Sequence, residues 1–305
     1  MIFNPSITVF LSTHNRPQLA LESLKTLLNQ SYDNKKIIVS DNSSDNYTEI
    51  FLKKNFHEFN EFRYIKRPNL DPHDHFNLLI DEIETEYCMF FHDDDLLESD
   101  FIEKALKKME KNKNISCVGG NAKIIDSKGN FIRFLNRPIF FHDLFIDSNE
   151  QFFDHYFNYK PRMPAPFPSY IYRSKFIKNI SSSAKHLDVE FISRTIKEGN
   201  ILWLKDICMS YRVHRSQDSF NESIVQRKKL IQFLYKKKDL SLKKKAIYKK
   251  NIRLLYWRKF FLNDLSKVFV RRYNKALFFT FFTQLFLIFR HPFYFLIKLF
   301  NKSFI

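Results

Sequence analysis

The N-terminal part of the chain alternates between short apolar runs and segments with helical periodicity, and this alternation limits the fold more than any other feature. Runs rich in β-branched and aromatic residues, typical of buried strands, begin near residues 6, 35, 62, 87 and 115. Between them, apolar side chains recur at the spacing of one helix face over residues 16–30, 75–84 and 99–112. This order predicts an α/β fold, with a mostly parallel central sheet flanked by helices.

Three of the predicted strands end in clusters of polar residues. The clusters are STHNR at residues 12–16, SDNS at 40–43 and HDDD at 92–95. Ligands of open α/β sheets bind beyond the carboxyl ends of the strands. The three clusters are therefore expected to line one crevice.

The third cluster places Asp93, Asp94 and Asp95 side by side after an apolar run. Neighbouring carboxylates repel one another and lose hydration in a partly closed site, so the triplet either lies in a solvated loop or holds a cation. No glycine of the chain follows the first or second predicted strand, which excludes a P-loop and a GxGxxG dinucleotide motif. A divalent cation held by carboxylates is another common way to neutralise a diphosphate, and the position after a buried strand favours it.

The net charge of +17 is concentrated in the C-terminal part. Residues 226–305 hold 21 Lys and Arg against 2 Asp and Glu, whereas residues 1–225 carry a net charge of −2. Such a basic segment predicts an anionic partner, either a membrane surface, a nucleic acid or a phosphorylated substrate. The three cysteines form no CxxC pair, which indicates a reducing compartment without structural zinc, and the N-terminus lacks the pattern of a secretion signal.

The basic segment is also rich in phenylalanine, as in ALFFTFFTQLFLIF before Arg290. That run has about 14 residues, too few to span a bilayer comfortably. Basic faces beside Phe-rich faces favour a helical tail that lies on anionic lipid. The alternative is a helical cap that packs on the preceding α/β domain with its lysines in water. Nucleic-acid binding is disfavoured because the segment is so apolar.

The motifs STHNRP, VSDNSSD and YCMFFHDDDLL occur in this order, and together they resemble a family 2 glycosyltransferase. The similarity covers roughly residues 5–220. It implies the nucleotide-diphospho-sugar (GT-A) fold, with a catalytic domain over residues 1–222 and a basic, Phe-rich, membrane-associating helical tail over residues 223–305.

The resemblance also implies the binding residues. Those expected to bind the nucleotide are Thr13, Asn15, Arg16, Asp41, Asp93 and Asp94. In the family, the residue at the position of Asp41 contacts the base, usually the N3–H of uracil. One Mn²⁺ or Mg²⁺ is expected at Asp95 and His214, and Arg212 or Arg215 is expected to pair with phosphate.

The segment AKHLDVEF resembles the part of the family that supplies the catalytic base. Asp188 takes the base position, Leu187 replaces the usual preceding glutamate, and Glu190 is the fallback base. Inverting transfer requires a carboxylate that accepts the proton of the acceptor hydroxyl. The alternative for Asp188 is a helix N-terminal charge without a catalytic role.

The implied function is inverting, metal-dependent, hexosyl-type transfer from a nucleotide-sugar, with UDP-sugar favoured. The implied acceptor is a saccharide, lipid-linked, in the biosynthesis of a cell-surface polysaccharide such as O-antigen, capsule or lipooligosaccharide. The protein is expected to be a peripheral membrane protein on the cytoplasmic face of the cell membrane. Nucleic acid is not expected as a partner. The alternative is a non-catalytic, membrane-tethered module that binds sugar nucleotides or glycans.

Overall fold

The computed structural model describes residues 3–56, 61–136, 142–158, 163–180, 186–214 and 224–254. The chain divides into two compact units, Met1–Lys249 and Lys250–Ile305. All site residues belong to the first unit. The Phe-rich segments of the tail lie outside the described residues.

The elements alternate as the sequence pattern predicts. The strands are β1 (Ile7–Thr13), β2 (Lys35–Asp41), β3 (Arg63–Lys66), β4 (Tyr87–His92), β5 (Leu96–Leu97), β6 (Ile115–Ile125), β7 (Phe131–Phe134), β8 (Leu144–Ile146), β9 (Ile171–Arg173) and β10 (Asn200–Arg212). The helices are α1 (Pro17–Leu28), α2 (Tyr47–Asn55), α3 (Pro72–Asp81), α4 (Phe101–Lys111), α5 (Asn149–Phe157), α6 (Leu187–Thr195) and α7 (Ile224–Lys236). A last helix, α8, covers residues 242–254.

The ten strands form one sheet in the order β3-β2-β1-β4-β9-β6-β10-β5, with β7 beside β6 and β8 beside β10. The long ladders are parallel: β1 with β2 and β4, β2 with β3, and β6 with β10. Short antiparallel pairings connect and extend them, so the sheet is mixed. The α/β fold class with a central sheet flanked by helices is confirmed.

The central strands are apolar throughout because both faces of the sheet are covered. All residues of β1 except Ser12 are buried, and β4 is buried up to its last residue, His92. Helix α2 has no counterpart among the predicted helices. It buries only Thr48 and Leu52, so its sequence carries little apolar periodicity.

Helices α7 and α8 pack against α5 within the first unit. The ring of Phe233 on α7 lies 6.3 Å from that of Phe153 on α5. On α8, Tyr248 and Lys244 bond to Asp154 of α5, at 2.8 and 2.9 Å. Up to Lys249, the helical cap arrangement is therefore present. Among the described residues, no helix combines the length and apolarity that a membrane crossing needs.

Candidate active site

The carboxyl ends of β1, β2 and β4 lie level in the sheet. Ser12 of β1 is in register with Ser40 of β2 and with His92 of β4. The loops that follow are joined directly: the backbone N–H of Asn42 donates to the carbonyl of Thr13 at 2.9 Å. The predicted convergence of the three polar clusters is confirmed.

Asp93 lies at the floor of this crevice, fully buried. Its carboxylate accepts hydrogen bonds from the Thr13 hydroxyl at 2.7 Å and the His14 N–H at 3.3 Å, and forms an ion pair with Arg16 at 2.8 Å. Burial raises the pKa of Asp93 to about 6, and the Arg16 charge opposes that shift. The loop after β1 and the aspartate triplet therefore form one electrostatic unit.

Asp94 lies between positive groups. Its Oδ2 is 3.0 Å from Arg16 Nη1 and 2.9 Å from Nε2 of His214. Burial by itself would raise its pKa, but His92, Arg16 and His214 outweigh burial, so the pKa of Asp94 is lowered. Asp94 is thereby held as a carboxylate.

Asp95 is the most isolated of the three carboxylates. Its Oδ1 accepts a hydrogen bond from the Arg212 N–H at 2.9 Å. Its Oδ2 is buried and has no hydrogen-bond partner among the described residues. Burial and the neighbouring Asp94 raise the pKa of Asp95 well above its usual range. A buried carboxylate oxygen without a partner is costly unless it is protonated or bound to a cation.

A cation fits these residues. One ligand atom from each of His92, Asp94 and Asp95 can lie within 4.8 Å of the others. Carboxylate oxygens suit Mg²⁺ and Mn²⁺, and an imidazole also suits transition metals. His92 was missed as a ligand from the sequence, although it stands in the HDDD cluster. His214, the ligand expected from the sequence, lies against Asp94 at the rim of the same group.

Arg212 secures the turn that carries the triplet. Its side-chain Nε donates to the carbonyl of Asp94 at 2.9 Å, Nη2 pairs with Glu22 of α1 at 2.6 Å, and Nη1 donates to the carbonyl of Ser127 at 3.3 Å. Arg212 was expected, as an alternative to Arg215, to pair with phosphate, and in the structure these protein acceptors engage its guanidinium. Arg215, the other expected phosphate partner, lies outside the described residues.

Asp41 is also fully buried. Its Oδ1 accepts from the Ser43 N–H at 2.8 Å, and its Oδ2 accepts from the Tyr64 hydroxyl and lies 3.3 Å from Lys66 Nζ. The sequence did not indicate Tyr64 and Lys66 as partners, because β3 ends without a polar cluster. Residues of the described part of the chain thus occupy three of roughly four acceptor positions of this carboxylate.

Asn15 shapes the loop after β1. Its backbone is left-handed, with φ of 55°, a conformation that asparagine tolerates better than most residues. Its N–H donates to the Ser43 hydroxyl at 2.7 Å, and its side-chain oxygen accepts from the Ser44 N–H at 3.0 Å. Asn15 therefore fixes the loop after β1 against the loop after β2.

Asp188 lies in the first turn of α6 and is half-buried. Burial raises its pKa, and the nearby charges of His186 and His92 oppose the shift. Burial, and after it the charges of Asp95, Asp94 and Asp188, raises the pKa of Tyr211, so all three carboxylates act electrostatically on one phenol. A half-buried carboxylate with a raised pKa is the type of group that accepts a proton.

Glu190 points elsewhere. Glu190 follows Asp188 by two residues, which is a rotation of about 200° around the axis of an α-helix. Its side chain therefore leaves α6 on the side opposite to Asp188. It forms an ion pair with Arg194 one turn later. Ile180, earlier in the chain, is held by α3, because Asn77 and Ile180 exchange two hydrogen bonds of 2.8 and 2.9 Å.

Residues 8–175 match the sequence profile of the family described as Glycosyl transferase family 2. The chain belongs to glycosyltransferase family 2. Its enzymes are transferases, as the resemblance implied. A Campylobacter jejuni relative, GalNAc(5)-diNAcBac-PP-undecaprenol beta-1,3-glucosyltransferase, is 28% identical over 128 residues, which are 41% of this chain and 40% of that protein.

Two further relatives of this chain show how the similarity is distributed. A glycosyltransferase of Rickettsia conorii is 32% identical over 142 residues, 46% of this chain but only 23% of that protein. A glycosyltransferase of Methanocaldococcus jannaschii is 23% identical over 273 residues, 87% of this chain and 89% of that protein. The chain thus spans about a quarter of the Rickettsia protein and most of the archaeal one.

The solved structures of Staphylococcus aureus TarS share the fold. A crystal structure of TarS residues 1–349 superposes with a TM-score of 0.59 at 15% identity, covering 84% of this chain and 74% of that one. TarS 1–349 in complex with UDP-GlcNAc gives a TM-score of 0.58 at 14% identity, covering 84% and 72%. The GT-A type of fold is thereby confirmed for this glycosyltransferase.

Proposed function

We propose that the chain is an inverting, metal-dependent glycosyltransferase that moves a hexosyl group from a UDP-sugar to a saccharide acceptor. The observation that carries the proposal is the meeting of two carboxylate groups in one crevice. His92, Asp94 and Asp95 can place their ligand atoms within 4.8 Å of one another, as a cation site requires, and Asp188 is near enough to His92 for the two charges to interact. A protein that only binds a sugar nucleotide would need the cation-binding carboxylates but would not need Asp188 as a base.

The donor diphosphate would lie at the triplet. His92, Asp94 and Asp95 would hold one Mn²⁺ or Mg²⁺, with His214 next to them. The bound cation would supply Lewis-acid stabilisation of the charge that develops on the departing diphosphate. Arg16, which pairs with Asp93 and Asp94, adds a fixed positive charge at the same rim.

Asp188 would act as the general base. Its carboxylate would accept the proton of the acceptor hydroxyl while the oxygen attacks the sugar from the face opposite to the diphosphate, and this gives inversion. Glu190, the fallback base of the sequence prediction, is less suited because it pairs with Arg194 and leaves the helix on the other side.

The nucleobase would be uracil. Asp41 ends β2 at the position where, by the family resemblance, a carboxylate accepts from the N3–H of that base, while Thr13 and Asn15 hold the adjoining loops. The complex of TarS with UDP-GlcNAc supports a UDP-sugar as donor for this fold. Thymine offers the same N–H, so dTDP belongs in the test.

The acceptor would be lipid-linked, and the reaction would take place on the cytoplasmic face of the cell membrane during the biosynthesis of a cell-surface polysaccharide. The name of the Campylobacter jejuni relative, which includes an undecaprenol-linked glycan, supports this proposal. The basic segment over residues 223–305 would associate with that membrane as a peripheral tail.

Thermal unfolding of the purified chain with UDP, dTDP, GDP and CMP, each with and without Mn²⁺, tests the proposal. UDP is expected to raise the midpoint temperature of unfolding only when Mn²⁺ is present. Stabilisation by UDP without metal would remove the cation from the proposal. No stabilisation by any of the four would remove the nucleotide site itself.

A further inference from the structure

The outward side of α7 and α8 carries a dense set of lysines. Residues 224–249 hold ten Lys and Arg and a single acidic residue, Asp239. On α7, Lys228, Lys229 and Lys236 are exposed at the spacing of one helix face, and Lys243 is exposed at the start of α8. The segment over residues 224–249 therefore carries a net charge of +9.

Exposed apolar side chains lie among these lysines. Val225 is 58% exposed, Tyr235 41% and Leu242 77%. Lys249 Nζ lies 5.5 Å from the centre of the Tyr235 ring, which joins the outward sides of the two helices. We name this combination of exposed lysines with Val225, Tyr235 and Leu242 the basic face.

The basic face has a fixed orientation because the opposite side of the helices is packed. Leu230 and Leu234 of α7 are buried. Lys237 Nζ donates to the Ser193 hydroxyl of α6 at 3.1 Å and lies 5.8 Å from the Phe153 ring. The lysines of the outward side therefore act together as a surface and not as separate flexible charges.

We propose that the basic face binds the surface of an anionic lipid bilayer. Lysine ammonium groups would pair with lipid phosphates, and the exposed apolar side chains would enter the interfacial region between headgroups and acyl chains. A nucleic acid would use the lysines, but its phosphate backbone offers nothing to Val225 or Leu242. The chain's own C-terminal segment is a poor occupant, because residues 255–305 hold nine Lys and Arg and one acidic residue.

The basic face would be the part of the folded unit that contacts the membrane. The Phe-rich tail would be a second contact. In that sense the inference rests on the proposed function, which places the acceptor in a membrane. Vesicle binding needs neither nucleotide nor metal, so failure of this inference and failure of the catalytic proposal give separate results.

The test is co-sedimentation of the full chain with vesicles of phosphatidylcholine alone and of phosphatidylcholine with phosphatidylglycerol. The variant replaces Lys228, Lys229 and Lys236 by Gln. The matched control replaces Lys54, Lys111 and Lys178 by Gln, which are exposed on other elements and change the net charge equally. Each lysine near an anionic surface contributes roughly a fivefold factor in binding, so the variant is expected to bind about a hundredfold more weakly.

The wild type and the control are expected to bind the anionic vesicles and to lose binding as salt is added. A second variant, Tyr235→Ser with Leu242→Ser, is expected to weaken vesicle binding several-fold while leaving retention on duplex DNA unchanged. Equal loss in the lysine variant and its control would overturn the inference, since net charge alone would then explain binding. The inference would also be overturned if the lysine variant bound anionic vesicles as tightly as the wild type. Stronger binding of the wild type to DNA than to vesicles at the same salt would overturn it as well.

Discussion

The backbone N–H of Arg212 donates to Oδ1 of Asp95, although 117 residues separate the two in the chain. The side chain of the same arginine binds the carbonyl of Asp94. Arg212 ends β10, so these two hydrogen bonds attach the turn after β4 to β10. Three adjacent carboxylates can therefore face one crevice without the turn opening toward water.

Arg212→Lys is expected to weaken the binding of Mn²⁺ by roughly tenfold, because groups that orient metal ligands contribute one to two orders of magnitude to affinity. The lysine cannot reach Glu22, Ser127 and Asp94 together, so the free energy of unfolding should fall by about 2 kcal/mol. Calorimetric titration with Mn²⁺ and urea denaturation measure the two effects.

Glu22→Gln is the control for that change. Glu22 is half exposed and only pairs with the far end of Arg212, so its loss should cost less than about 1 kcal/mol. Equal Mn²⁺ affinity in wild type and Arg212→Lys would show that Arg212 has a structural role only.

Asp95→Asn is expected to separate metal binding from stability. Removing the charge relieves the repulsion from Asp94 and the cost of a buried carboxylate oxygen without a partner, so the metal-free protein should unfold at a higher temperature. The same change should abolish the Mn²⁺-dependent stabilisation by UDP. Differential scanning calorimetry with and without Mn²⁺ measures both, and a lower unfolding temperature of the metal-free variant would contradict the account of Asp95.

Asp188→Asn is expected to lower the turnover of the UDP-sugar by roughly 10²–10⁴-fold, the usual contribution of a general base. Stabilisation by UDP and Mn²⁺ should remain, because Asp188 is not part of the cation site. Release of UDP from the UDP-sugar that the wild type turns over is the measurement. Glu190→Gln is the matched control: it should retain turnover, and a loss there with retention in Asp188→Asn would reverse the assignment of the base.

His75 gives a prediction about pH. It is buried against Ser40, whose hydroxyl oxygen is also 2.9 Å from Arg67 Nε. Burial and the Arg67 charge lower the pKa of His75 to about 4. The unfolded chain, with the ordinary pKa of 6.5, binds the proton first as the pH falls. Stability should therefore decrease between pH 6.5 and 4, by roughly 3 kcal/mol from this group.

Urea denaturation across that pH range tests the prediction with His75→Gln, which should flatten the dependence. The exposed His142→Gln serves as the control and should retain the slope of the wild type. The same slope in His75→Gln and wild type would assign the acid sensitivity to other groups.

The order of strands and helices could be predicted from the sequence because it depends on local periodicity. Continuous apolar runs such as residues 7–11 and 87–91 indicated strands buried on both faces, and their polar ends indicated the position of the crevice. Helix α2 was missed because it buries two residues only. The triplet Asp93–Asp95 could be predicted as a candidate cation site, since three adjacent carboxylates after a buried strand need compensation.

Only the tertiary structure decided which groups compensate the charges of these three aspartates. His92 lies with Asp94 and Asp95 in the candidate cation site, protein acceptors engage Arg212, and Glu190 pairs with Arg194. Each of these outcomes depends on strand register, on the direction of a side chain from its helix, or on a contact between distant segments. Short-range patterns in a sequence fix the elements and the ends at which a ligand can bind. The partners of each buried charge are fixed only when packing brings separate elements within hydrogen-bond distance.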